Sequence, residues 1–581
     1  LMLVSLFSLP SKLPAQLKQP KHVLLPEQMI EEIVNDTEDF NSASDLYEYL
    51  VDLKENPINL NSANQNELEK IIFINKYQIY SLLEYRNSYG NLFSIGELRA
   101  IPSFDEETIK EIIPYITVSS QTPKEYHSKY KHSIRVKTSF TKPKRKGFGE
   151  ADSAKRFFGK NFYSLFKYEL RKSPVLRFGI TMESDAGEKI RFDSLNHGFD
   201  FISGFGEFNI HRKTGTMLIL GDYRVVKGLG LVAGRFGSRK LSMTILNPGI
   251  ASNSPYTSSS EYGYKRGISA SFNPRWFRSE MFYSVKKISA RNEILSDGSS
   301  SIKSMIKNGL HRNMKEIDYK NNEIEKCIGV SLGYESAPIG INYHYLAYMY
   351  SLPLRYRKLP DRFSRYQYDN NFQYHSIDYR LGYENILFRG ELATNKSAFA
   401  FISVLTTNLH PLLQLSLCYR NISPGYYAPE SNSFTEKSGV RNERGFYFGL
   451  ETFPLKYLKI NLYIDIYKFP WLRYYSTSPG RGNDILVKAE LKPRKIFQLQ
   501  FLYKSERRLS KENQQLRTNL IPAMINERSS RYMLQSVYDV SDKLSLKARV
   551  EIKSYKTEKS TKLKKGMFIS HDIRLNLMKG N

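Results

Sequence analysis

The sequence predicts a mainly β fold, a large antiparallel transmembrane β-barrel of roughly 18–20 strands, within the range of single-chain barrels, behind a small all-α N-terminal domain. Three observations predict it. From about residue 130 apolar residues recur at every second position. The 41 Tyr and 34 Phe exceed what a soluble core needs in a chain with 25% charged residues. After the first residues, no stretch supplies the roughly 18 consecutive apolar residues of a membrane helix.

The opening run LMLVSLFSLPSKLPAQ has the length and polarity change of a signal peptide, so residues 1–16 read as the remainder of one. Residues 26–56 then form an acidic helical arm. Over 26–55 one Lys stands against ten acidic residues, with Met29, Ile30 and Ile33, then Leu46, Leu50 and Leu53, at helical spacing. A third segment, 57–120, is punctuated by helix starts: Ser62 with Gln65, Ser94 with Glu97, and Ser103 with Glu106 each make a capping box. Helices are predicted near 63–71, 76–87, 95–101 and 106–113. Residues 1–124 hold 10 Lys+Arg against 18 Asp+Glu, leaving 76 against 40 for the rest, so an acidic head precedes a basic body.

The stretches PINLNSANQNELEKI and IYSLLEYRNSYGNLFSIGELRAIPSFDEETIKEIIPYITV resemble the ComEA-type double helix-hairpin-helix domain over 58–118. The resemblance implies a DNA-phosphate grip at two hairpins, here Ile72, Phe73, Ile74, Asn75 and Lys76, then Ser103, Phe104 and Asp105. In that family the hairpins carry glycines whose bare backbone N–H groups approach phosphate. Here Phe73, Asn75, Ser103 and Asp105 occupy those places, and the segment holds five basic residues against eight acidic. Such a tip suits a protein surface, such as the barrel's rim, better than a polyanion.

The body, 130–581, is read from strands such as YLKINLYIDIYK and LSLKARVEIKSY, in which one face is apolar and the other polar. A barrel would turn the apolar face to lipid and the polar face to a lumen. Connections alternate between tight turns, as in SAPIG, KPRKI and VSDKL, and long polar loops such as 291–325 and 424–442. On the lumen face Arg135, Lys137, Lys167, Arg171, Lys459, Lys488, Lys547, Arg549 and Lys553 outnumber the acids and would favour anions.

The segments LILGDYRVVKGLGLVAGRF and NGLHRN resemble parts of a Gram-negative family that joins a helix-hairpin-helix head to an outer-membrane barrel. Gly221, Gly228, Gly230 and Gly309 are expected at sharp bends, as glycines in strands mark bulges or close backbone approach. No metal-binding, nucleotide-binding or nucleophile motif is present, and Cys327 and Cys418 are too few for a disulfide framework. The sequence therefore predicts no enzyme activity, no cofactor and no metal. It predicts an outer-membrane protein with a periplasmic head, contacts with membrane lipid and an envelope protein partner, and nucleic acid as a further possible partner. Two functions follow: a channel or translocation component for anionic or large substrates, DNA among them, or a scaffold whose head docks a partner.

Overall fold

The computed structural model describes residues 49–575 apart from internal stretches, the longest being 119–129, 241–251, 355–368 and 512–523. The predicted signal-peptide remainder and the arm up to residue 48 lie outside the described residues, as do Asn75, Ser103 and Asp105.

In the head, residues 49–55 are helical, followed by helices Gln65–Leu68, Lys76–Tyr89 and Glu106–Ile112 and the 3-10 segment Ile95–Ala100. The helix starts are capped as the sequence predicts at Ser94, where the Glu97 carboxylate accepts from the backbone N–H of Phe93 and Ser94 at 2.9 Å each. Leu68, Ile71, Ile79, Leu82 and Leu98 converge in one buried core. A parallel bridge of Ile58–Asn59 with Ile116–Thr117 ties the ends together.

Asn61 clamps the segment from inside. Its side chain donates to Leu92 O and accepts from Leu92 N, both at 2.8 Å. Asn61→Ala strands two buried backbone groups, so the head is expected to lose about 2 kcal/mol. Faster amide exchange across Lys76–Tyr89, with exchange in the body unchanged, is the expected readout.

Among the described residues, twenty strands from Lys131–Ser139 to Lys564–Leu575 pair antiparallel, each with the next. Among the described residues five short strands ride on the connections: Arg191–Phe192, which pairs with His197–Gly198, then Ser254–Pro255, Ala290–Ile294 and Ser300–Met305. The last two, with the helix Met314–Ile317, give structure to a stretch expected to be a plain loop. The strand order runs round a barrel and returns Lys564–Leu575 to Lys131–Ser139. No residue-by-residue ladder joins these two seam strands among the described residues, and most positions of both are exposed.

The wall is inverted relative to a soluble protein. On Glu323–Glu335, Ile324, Ile328 and Leu332 are 41–48% exposed, while the alternate Glu325, Cys327 and Ser331 are buried. Period-two side-chain placement puts one set outside and the other inside. No helix among the described residues is long and apolar enough to cross a membrane.

The two ends differ. One carries turns of two to four residues, such as those between Phe272 and Phe277, between Tyr383 and Ile386, and between Leu455 and Leu458. Exposed Trp276, Tyr334, Tyr383, Tyr457 and Tyr538 cluster at these turns and the adjoining strand ends. The other end carries most of the long connections. The first strand enters and the last leaves at the short-turn end, so the head is attached there.

Candidate functional site: a plugged lumen and an acidic lock

The apolar run VVKGLGLVAG, 225–234, follows the strand Thr216–Arg224 and folds into the barrel. Leu231, Val232 and Ala233 are completely buried. The run turns on itself, Lys227 N donating to Ala233 O at 2.9 Å and Gly230 N to Lys227 O at 3.0 Å. At Gly230, φ is +86°, and a Cβ would lie 2.3 Å from Asn432 O, so both backbone conformation and space require glycine.

Wall and loop residues hold this plug. The Glu391 carboxylate accepts from the N–H groups of Leu229 and Leu231 at 2.6 and 3.1 Å, as a side-chain cap for a turn with no ladder partner. Lys227 is buried against Glu280 in an ion pair. A second folded-in segment, 426–434, lies alongside, with Tyr426 donating to Leu231 O at 3.0 Å and Asn432 N to Gly230 O at 3.0 Å. Glu430 accepts from Lys265 at 2.7 Å, and Lys265 also pairs with Glu325 at 2.8 Å.

Around both segments a single apolar cluster gathers inward side chains from Ile219, through Tyr348, Tyr374 and Val404, to Leu502 and Met533. The sequence assigns the polar strand faces to the lumen; tyrosines and aliphatics also line much of the wall, because they pack on the plug. Cys327 and Cys418 belong to the cluster as free thiols. The glycines divide likewise. Gly221 sits in a strand with φ +92°, whereas Gly228 and Gly230 belong to the plug turn and Gly309 to a long connection.

The predicted basic residues all lie on the inward face, in two settings. Lys459 and Lys488 stand beside the apolar cluster, paired with Glu451 at 3.3 Å and Glu490 at 2.6 Å. Arg135, Lys137, Lys167, Arg171, Lys547, Arg549 and Lys553 gather on the two seam strands' neighbours and the first strand, a sector that contributes nothing to the cluster. There Arg135 stands directly opposite Lys167 in the ladder. Acids on this sector include Glu169, which binds Arg171 at 2.7 Å, and Glu551, which binds Arg549 at 2.6 Å.

The head closes the short-turn mouth of this sector. Glu55 pairs with Arg135 at 2.7 Å; Asp52 pairs with Arg177 at 2.9 Å and approaches Arg171 at 3.8 Å. Lys131 donates to Glu55 O at 3.0 Å. The acidic arm thus places carboxylates where the basic wall opens. These pairs are partly exposed, and such pairs contribute little individually and weaken with salt. Asp52→Lys with Glu55→Lys is expected to release residues 49–55, with amide exchange there faster by about tenfold, or 1.4 kcal/mol.

The hairpin residues are placed differently from the sequence expectation. Ile72 and Phe73 pack against Tyr49, Leu50, Leu53 and Tyr115, and the Phe73 and Tyr115 rings stack at 5.3 Å. The tip is therefore covered by the head's own arm and not by the barrel rim, because helix 49–55 presents its apolar residues to the nearest apolar knob. Ile74 and Phe104 are buried in the head core. Lys76 begins the helix Lys76–Tyr89. Sequence reading missed Glu391, Lys227 and Asp52 as functional residues; the acidic count of the arm beside the basic count of the wall was the available signal for Asp52.

An apolar exterior around a charged, partly packed interior is the arrangement of a transmembrane β-barrel. No family model and no curated protein sequence matches the chain. Among solved structures it is similar to OccK5 (OpdH) of Pseudomonas aeruginosa, at 10% identity and TM-score 0.28, covering 77% of this chain and 96% of that one. It is also similar to OccAB3 of Acinetobacter baumannii, at 11% identity and TM-score 0.28, with 76% and 98% covered. A third is Wzi of Escherichia coli, described as a carbohydrate-binding β-barrel involved in capsule assembly, at 9% identity and TM-score 0.27, with 77% and 84% covered. Likeness at this level carries no functional argument, and the chain's own geometry supplies it.

Proposed function

We propose that the protein is an outer-membrane β-barrel with a periplasmic head, acting as a normally closed passage for anionic or large substrates. The observation that carries this reading is the match between the basic wall sector left free of the apolar plug and the carboxylates of Asp52 and Glu55 seated at its mouth. An anion entering that sector replaces the contacts those carboxylates make. The short-turn end is the periplasmic end of such barrels, and the head attaches there.

Among polyanions, DNA is poorly matched to the head. Its first hairpin tip is covered, and its charge has the wrong sign for neutralising phosphates. A second reading, in which the barrel is an anchor and the acidic head docks an envelope protein, is favoured by the packed interior. Planar-bilayer recording separates the two. Asp52→Asn with Glu55→Gln is expected to raise open probability and pass anions. A barrel that stays silent in both forms, even when solutes are supplied from the head side, supports the anchor reading.

A further inference from the structure

Three long connections meet at one point on the rim opposite the head. Glu188 comes from the connection after Leu176–Ser184, and Asp200 ends the same connection. Glu261 comes from the connection before Lys265–Phe272, and His311 from the one after Phe277–Ile288. His311 lies in the NGLHRN segment, which neither the plug nor the lock uses.

We infer that Glu188, Asp200 and His311, with Glu261 beside them, form a site for one divalent cation of the zinc or manganese class, which ties the three connections together. One ligand atom from each of Glu188, Asp200 and His311 lies within 4.8 Å of the others. Ligands about 2.1 Å from a shared ion stand about 3 to 4 Å apart, so an entering ion replaces the direct His311–Asp200 contact and draws the outer ligand in. His311 Nδ1 is 2.6 Å from Asp200 Oδ2 and 3.7 Å from Glu261 Oε2. The Asp200 and His311 side chains are each only 2% exposed.

The independent sign of a missing partner is Glu261. Its Oε1 is shielded from solvent and has no hydrogen-bond partner among the described residues, an arrangement that is costly for a carboxylate. Gly309 allows its approach, since a Cβ there would lie 2.9 Å from Glu261 Cγ and Cδ. Negative charge is also in excess. Three carboxylates, Glu188, Asp200 and Glu261, converge on the one imidazole of His311. Lys320 offsets part of the excess at Asp200, 2.6 Å away.

The surroundings suit ligation. Glu188 Oε1 is oriented by the His311 backbone N–H at 2.8 Å, and His311 Nε2 faces Ser289 Oγ at 3.3 Å. That contact fixes the ring, the role outer partners play for metal-bound histidines, and the ion takes Nδ1 in place of its hydrogen bond to Asp200. One imidazole nitrogen among carboxylates points to zinc or manganese, since calcium and magnesium prefer oxygen throughout.

The test uses the full chain, purified in detergent, stripped with chelator and given Zn2+ or Mn2+ alone. The expected result is about one ion retained per chain after desalting, a raised thermal midpoint, and far weaker uptake of Ca2+. Glu188→Gln and Asp200→Asn, nearly isosteric changes, are each expected to weaken affinity by about tenfold or more, the scale of changes around metal ligands. His311→Gln should do the same, with circular dichroism confirming an intact barrel in each variant. Retention of no ion, or equal uptake by wild type and the folded Glu188→Gln and Asp200→Asn variants, overturns the site. Calcium bound as tightly as zinc overturns the assignment of His311 as a ligand.

Discussion

Replacing residues 225–234 with a short flexible linker is expected to turn a silent barrel into a conducting one. The run contributes Leu231, Val232 and Ala233, all completely buried, to the apolar cluster. A barrel of this strand number without a plug leaves an aqueous channel, so single-channel conductance should rise by about tenfold or more over the intact chain. Lys227→Met is a milder probe. It leaves Glu280 buried without its principal cation while Arg278 stays 3.5 Å away, so brief openings are expected in place of a permanent pore.

Arg420→Ala is expected to produce the largest loss of stability. Arg420 is fully buried on Leu413–Ile422; its guanidinium donates to Glu443 at 2.6 Å and to both Asp465 oxygens at 2.8 and 3.1 Å. It also stacks over Phe434 at 4.9 Å, which joins the folded-in segment to the wall. Removing it leaves two buried carboxylates with reduced compensation, a loss of about 3–5 kcal/mol. Lys240 still pairs with Asp465 at 2.7 Å and Asp484 at 2.6 Å, which favours the lower half of that range. Arg420→Lys should recover little of the loss, since a single ammonium cannot reproduce the fork. Urea unfolding from detergent measures both variants, and amide exchange over 426–434 should rise in each.

Much of the architecture was legible because its causes are local. The Ser94–Glu97 box announced the segment Ile95–Ala100, and the two-residue period of Leu458–Lys468 or Leu544–Thr557 announced the wall. The plug was not legible. VVKGLGLVAG is apolar and short enough to read as a bend or strand, and its place depends on Glu391, some 160 residues further along, accepting from its backbone. The lumen charges were recognisable by alternation. Their division into a side packed on the plug and a sector away from it depends on which wall faces the plug touches.

The tip at Ile72 and Phe73 could be recognised as apolar, but its cover could not. Leu50 and Leu53 are spaced to bury a helical face, and nothing in that spacing says against what. The outer cluster was hidden for the same reason. Glu188, Asp200, Glu261 and His311 are spread over more than a hundred residues and share no motif.

The proposed passage is tested most directly by reversal potential across a salt gradient for the chain lacking residues 225–234. Anion selectivity is predicted, carried by Arg135, Lys137, Lys167, Lys547 and Lys553, and changing Lys137 and Lys553 to Glu should shift the potential toward cations. An opened barrel that shows no preference, or prefers cations before any charge is changed, would contradict it.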